Sequence, residues 1–148
     1  MRHILSAFLV ALALVVVPAA PQASAMSNAT FGKKLHQQTN TSRAFRDIKK
    51  LKYQKCIDRY AQRQANRMAK KRKIYHQDLG PILRACDLSR VGENVATGFT
   101  SPKANVKAWL KSPGHRRNML NRKYTRLGIG VAKAGGRTYT VQVFGRPA

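Results

Sequence analysis

The chain has 148 residues, with 29 Lys and Arg against 5 Asp and Glu, giving a formal charge of +24 at neutral pH. One ordinary domain fits that length, and a hydrophobic fraction of 43% excludes a wholly disordered basic tail, because enough apolar surface exists to offset chain entropy. Two cysteines exclude a disulfide-dense mini-scaffold, and a single apolar stretch excludes a polytopic membrane protein.

The N-terminus sets the compartment. Arg2 and His3 make a short positive start, Ile4 to Val17 is apolar except for Ser6, and Ala23-Ser24-Ala25 offers small residues for a signal peptidase. Residues 1–25 read as a secretory signal cleaved after Ala25. The competing reading is an uncleaved anchor, but the run is shorter than the roughly 20 residues a span needs, and Pro18 and Pro21 follow it closely. Cleavage removes one arginine, so the exported chain stays strongly basic. It is expected outside the cell or associated with the cell wall, as a monomer.

Residues 26–34 carry no periodicity and read as a flexible lead-in to a domain over 35–148. Asn40-Thr41-Ser42 supply capping side chains for a short helix over about 41–49. Tyr53, Ile57, Tyr60, Ala61, Ala65, Met68 and Ala69 recur at three- and four-residue steps, which predicts a long helix over about 53–73 with Arg and Lys opposite. Behind an export signal, Lys70-Lys71-Arg72-Lys73 is a solvated helix face rather than a nuclear address. Gly80-Pro81 interrupts the chain, and 82–86 allows one further turn. Cys56 and Cys86 meet an oxidising setting and are expected to pair, stapling this connector to the long helix; in the chain-entropy model a loop of that size is worth about 3 to 4 kcal/mol. Two free buried thiols are the alternative.

Ser101-Pro102 and Ser112-Pro113 mark two helix starts, since Pro suits the first helical position and Ser caps the orphan amides. The first helix carries Val106, Trp109 and Leu110, the second Met119 and Leu120. Leu127, Ile129 and Val131 then alternate with Gly128, Gly130 and Ala132, and Tyr139, Val141 and Val143 follow Gly135-Gly136, a β-hairpin pattern. Helices first and strands last predict an α+β domain.

Glu93 is the only glutamate, and it sits in the otherwise uncharged stretch Val91 to Ala96. A carboxylate flanked by Gly and apolar residues needs hydrogen-bonding partners. His76, Glu93 and His115 all fall at predicted ends of elements, where sites on a rigid scaffold are usually carried. Two imidazoles and a carboxylate suit a three-ligand zinc site with an open fourth position, though their spacing matches no local metal signature. The alternative is structural: His115 packs at a helix start, His76 lies on the surface, and Glu93 makes internal hydrogen bonds.

Gly92-Glu93-Asn94-Val95-Ala96-Thr97-Gly98, Val106 with Trp109, Ser112-Pro113-Gly114-His115-Arg116-Arg117-Asn118-Met119-Leu120 and Tyr124 to Ala132 together closely resemble the bacterial branch of the CAP superfamily, or SCP domains. That superfamily includes cysteine-rich secretory proteins, insect venom antigen 5 and plant pathogenesis-related proteins. Ala61, Ala65 and Met68-Ala69 followed by His76 resemble its long helix and first cavity histidine, so the likeness spans Leu35 to Gly145. It implies an α-β-α sandwich, helices flanking a small antiparallel sheet, with a cleft lined in many animal members by a His-Glu-Glu-His tetrad. His76, Glu93 and His115 match three of the four. The second acid does not carry over, because Trp109 is followed by Leu110 and Lys111; water, Asn94 or a ligand group would fill the gap. The resemblance thus implies a cleft of His76, Glu93, Asn94 and His115, with His76 and His115 as metal ligands if zinc is bound.

The fold does not fix the activity. Ser89, Ser101 and Ser112 sit in no nucleophile motif, which favours a binding module over the alternative, a zinc-assisted hydrolase using the same cleft. The charge favours polyanions: envelope polymer first, then an anionic lipid surface, then nucleic acid, for which no aromatic stacking platform is visible.

Overall fold

A computed structural model describes residues 26–148; the leader expected over 1–25 lies outside the described residues. The elements are α1 (Asn28–Ala44), β1 (Lys52–Tyr53), α2 (Lys55–Lys71), α3 (Gly80–Ala85), β2 (Leu88–Thr97), α4 (Pro102–Lys111), α5 (Pro113–Leu120), β3 (Arg126–Ala134) and β4 (Arg137–Pro147). None of the described helices is long and apolar enough to cross a membrane.

The strands form one sheet in the order β1-β3-β4-β2. Gly135 and Gly136, with φ of +55° and +71°, close the β3–β4 hairpin. On one face α2 seats Ile57, Ala61, Ala65 and Met68 against Tyr139, Val141 and Val143 of β4. On the other, α1, α4 and α5 bring Phe31, Leu35, Val106, Trp109 and Met119 against Leu127, Ile129 and Phe144. The result is the expected α-β-α sandwich with the sheet between two apolar cores. A Cβ on Gly128 or Gly130 would run into the α2 backbone at Asp58 and Ala61, so both glycines set how closely α2 lies on the sheet.

The sheet is mixed rather than purely antiparallel: β1 pairs parallel with β3, Lys52 opposite Arg126 and Tyr53 opposite Leu127. Beyond β1, the open edge of β3 is satisfied by side chains of α2. Asp58 Oδ1 accepts from the Ile129 amide (2.9 Å), and the Gln62 amide group bonds both N–H and C=O of Val131 (3.1 and 2.9 Å). Exposed strand edges invite unwanted pairing, and these two side chains occupy the place a further strand would take.

Two expectations at the N-terminal end are corrected. Residues 26–34 are no lead-in: α1 starts at Asn28, capped by Ser27, whose hydroxyl accepts from the Thr30 amide (3.1 Å). The helix predicted over about 41–49 is the end of α1, which stops at Ala44, before a turn with Asp47 at φ +53°. The buried stripe is Phe31, Leu35, Thr39 and Arg43, one residue every four with two polar members, so its apolar signal is faint. The long helix agrees within two residues at each end. Cys56 and Cys86 are bonded, with Cα atoms 5.7 Å apart, tying the start of α2 to the end of α3. Ser101 caps α4 through the Ala104 amide (3.2 Å), whereas Ser112 holds the cap position of α5 without a side-chain bond.

β2 was not legible in the sequence. Helices cover both sides of it, so Gly92 to Ala96 are all buried and no alternation results. Glu93 is consequently not at the end of an element. It lies in mid-strand, paired with Val143 of β4.

Candidate functional site

Successive strand residues point to opposite faces, and this decides what Glu93 and Asn94 do. Glu93 faces the α2 side. After α2 the chain turns at Arg72 (φ +50°) and runs extended past His76, held by Gln64 Nε2 donating to the Tyr75 carbonyl (2.7 Å). His76 Nδ1 lies 2.8 Å from Glu93 Oε1, which also accepts from the Gln77 backbone N–H (3.2 Å), while Gln77 Nε2 donates to Oε2 (2.6 Å). Arg67 in turn grips Gln77 and Gln64 through their side-chain oxygens. The Glu93 side chain is 1% exposed and that of His76 60%. A carboxylate accepts and does not donate, so His76 Nδ1 donates to Glu93 and Nε2 is left free.

Asn94 faces the other side and is fully buried. Its amide nitrogen donates to the His115 carbonyl (3.1 Å) and to Gln142 Oε1 (3.0 Å), and its oxygen accepts from Asn118 Nδ2 (2.9 Å). Asn118 also donates to the Glu93 carbonyl (3.0 Å), and Gln142 Nε2 donates to the Thr39 hydroxyl (2.7 Å). A relay of buried side-chain amides therefore joins α5, β2, β4 and α1. Asn94, expected to line the cleft, instead fastens the first turn of α5 to β2 and so positions His115.

His115 is half-buried. Burial lowers its pKa, and the charge of His76 adds to the effect. His76 and Glu93 are in contact, and α5, which carries His115, is bonded to β2 through Asn94 and Asn118. Three metal ligands are not gathered here: both Glu93 oxygens accept from donors, and among the described residues no group of three His, Cys, Asp or Glu could hold an ion. The residues present do not fit a three-ligand zinc site. The sequence reading missed Gln77 and Asn118. Gln77 had no signal beyond adjacency to His76, whereas Asn118 lay inside a motif already singled out.

A hollow of about 660 Å³ lies elsewhere, between α1, α2 and the edge of β3, lined by residues that include His36, Tyr53 and Asp58. Burial lowers the pKa of His36, opposed by the charge of Asp58.

The sheet is flanked by helices on both faces, and a buried carboxylate orients one exposed histidine. Residues 36–144 match the model of the cysteine-rich secretory protein family, CAP, and the chain belongs to that family. Protein YkwD of Bacillus subtilis is 30% identical over 127 residues, 81% of this chain and 49% of YkwD. Among solved structures, an extracellular SCP-domain protein of Bacillus anthracis aligns with a TM-score of 0.71 at 23% identity, over 84% of this chain and 45% of that one. An outer surface protein of Borrelia burgdorferi gives 0.74 at 22% identity, over 83% and 97%. The chain spans about half the length of YkwD.

Proposed function

We propose that this is an exported CAP-domain protein that binds anionic polymer of the cell envelope by charge, with the His76, Glu93 and His115 recess contacting one group of that polymer. The observation that carries the reading is how little negative charge, five acids, offsets the 28 lysines and arginines that stay after Arg2 leaves with the leader. Glu93 is buried against its donors, and Asp58 spends an oxygen on the edge of β3. A positive potential of this size concentrates polyanions and speeds their encounter at low salt. The relatives described as extracellular or outer-surface proteins support the location. In the recess, the free Nε2 of His76 and the ring of His115 are suited to a hydroxyl or anionic group.

Binding of purified wall polymer, measured by co-sedimentation as salt is raised, tests this. Affinity falls steeply once the Debye length drops below about 8 Å, and His76→Ala weakens binding without changing the salt slope. Salt-insensitive binding, or none, refutes the proposal.

A further inference from the structure

Phe45 is 84% exposed, more than any other large hydrophobic side chain described. It is not on a loose loop. Phe45 caps the C-terminus of α1, and the turn after it is closed by Arg46, Asp47 and Ile48 amides donating to the carbonyls of Arg43, Ala44 and Arg43 (2.9, 3.1 and 3.1 Å). Ile48, 8% exposed, anchors it from beneath, and Arg43 Nε holds the Lys49 carbonyl (2.9 Å). A rigid turn thus holds an aromatic ring out into solvent.

The surroundings of that ring are cationic. The Arg46 guanidinium lies 5.7 Å from the ring centroid. Lys49 and Lys50 are exposed. Arg122 donates to the Asp47 carbonyl (3.0 Å), bringing in exposed Lys123 from a distant segment. Five cations and one acid, Asp47, thus lie on the turn that carries the ring and on the segment bonded to it.

We infer that the turn from Phe45 to Lys50, with Arg122 and Lys123, is a contact site for the surface of a bilayer containing anionic phospholipid. A soluble polyanion without aromatic groups, such as polyphosphate, would need the cations only and would gain nothing from an exposed ring held rigidly outward. A lipid interface uses both: the phenyl ring leaves water at the boundary between headgroups and acyl chains while the cations stay at headgroup level. Apolar and electrostatic contributions together make such binding stable where either alone is marginal. The site shares with the proposed function only its reliance on charge, and commits to a membrane as the surface.

The test uses the protein purified in its naturally processed form, with phosphatidylcholine vesicles with and without phosphatidylglycerol, and inorganic polyphosphate as a soluble polyanion. The protein sediments with phosphatidylglycerol vesicles. Phe45→Ala lowers that partitioning about tenfold and leaves polyphosphate binding unchanged, and Lys49→Ala lowers it about fivefold at low salt. In Phe45→Trp the emission shifts to the blue on adding phosphatidylglycerol vesicles, against a constant background from Trp109, which is 1% exposed. Undiminished vesicle binding by Phe45→Ala, or unmoved Phe45→Trp emission, overturns the inference, as does an equal Phe45→Ala loss on polyphosphate. A Phe45→Ala loss confined to single-stranded DNA would assign the turn to base stacking and overturn it too. Salt-independent wall-polymer binding with Phe45 still inserting would refute the proposed function alone.

Discussion

Arg43 is the residue whose removal should most disturb this fold. It is fully buried, and its guanidinium donates to four backbone carbonyls: Lys49 (2.9 Å), Met119 (2.8 Å), Asn121 (3.0 Å) and Tyr124 (3.3 Å). Burial, then the like charge of Arg122, pulls its pKa down to about 10, so it stays charged at neutral pH with its charge spread over these oxygens. In Arg43→Met the volume is roughly kept and the donors are lost. The carbonyls of exposed Lys49 and partly exposed Asn121 regain water, while those of buried Met119 and Tyr124 do not. Two orphaned acceptors at about 1–3 kcal/mol each give a loss near 4 kcal/mol. For a domain of this size that is roughly a 15 °C fall in Tm. Arg43→Lys recovers little, because a single ammonium cannot span what a planar fork reaches. Urea unfolding followed by the fluorescence of buried Trp109 measures both variants. A loss below about 1 kcal/mol for Arg43→Met would show that water replaces the guanidinium at all four oxygens and refute the reasoning.

The glycines give a contrast in sign. Gly130→Ala places a methyl group against the Ala61 carbonyl and 2.7 Å from the Gln62 nitrogen, so α2 must move and stability falls by about 3 kcal/mol. Gly32→Ala within α1 meets only Ile129 and Val131 methyls at 3.5 and 3.6 Å and should gain about 0.5–1 kcal/mol from helix propensity; chemical denaturation of the pair checks both signs. His36 and His115 have folded pKa values below their ordinary 6.5, chiefly through burial, so the unfolded chain takes up protons first. Their contribution is complete above pH 6.5 and is lost as pH falls through the lower folded values. The urea midpoint therefore drops between pH 7 and pH 5, and less so in a His36→Gln, His115→Gln double variant; equal drops in both proteins would remove the two histidines from the cause.

Whether an element could be read from the chain depended on how it is buried. α2 has one wet face and one dry face, and its spacing shows in the residues. The β3–β4 hairpin was visible through Gly135-Gly136 and the alternation around it. α1 was hidden because its buried stripe is closed by Thr39 and Arg43, polar residues that become core only by bonding to carbonyls far along the chain. β2 was hidden because helices cover both of its faces.

At the site, residue types and motif order pointed to His76, Glu93 and His115, while their roles came from geometry. Strand alternation sends Glu93 toward His76 and turns its neighbour Asn94 to the opposite core. A carboxylate that could have been a metal ligand is spent on Gln77 and His76, which no spacing in the sequence reveals.

By itself the sequence determined the family, the excess of cations, the pairing of the two cysteines and the helix-then-hairpin order, because each is a local or compositional property. Only the tertiary structure decided which face each residue of β2 presents, that Arg43 is a core residue, and that a phenyl ring stands out among cations at the end of α1. Those depend on contacts between segments as far apart as Arg43 and Tyr124, where position in space and not position in the chain sets what a side chain can bond.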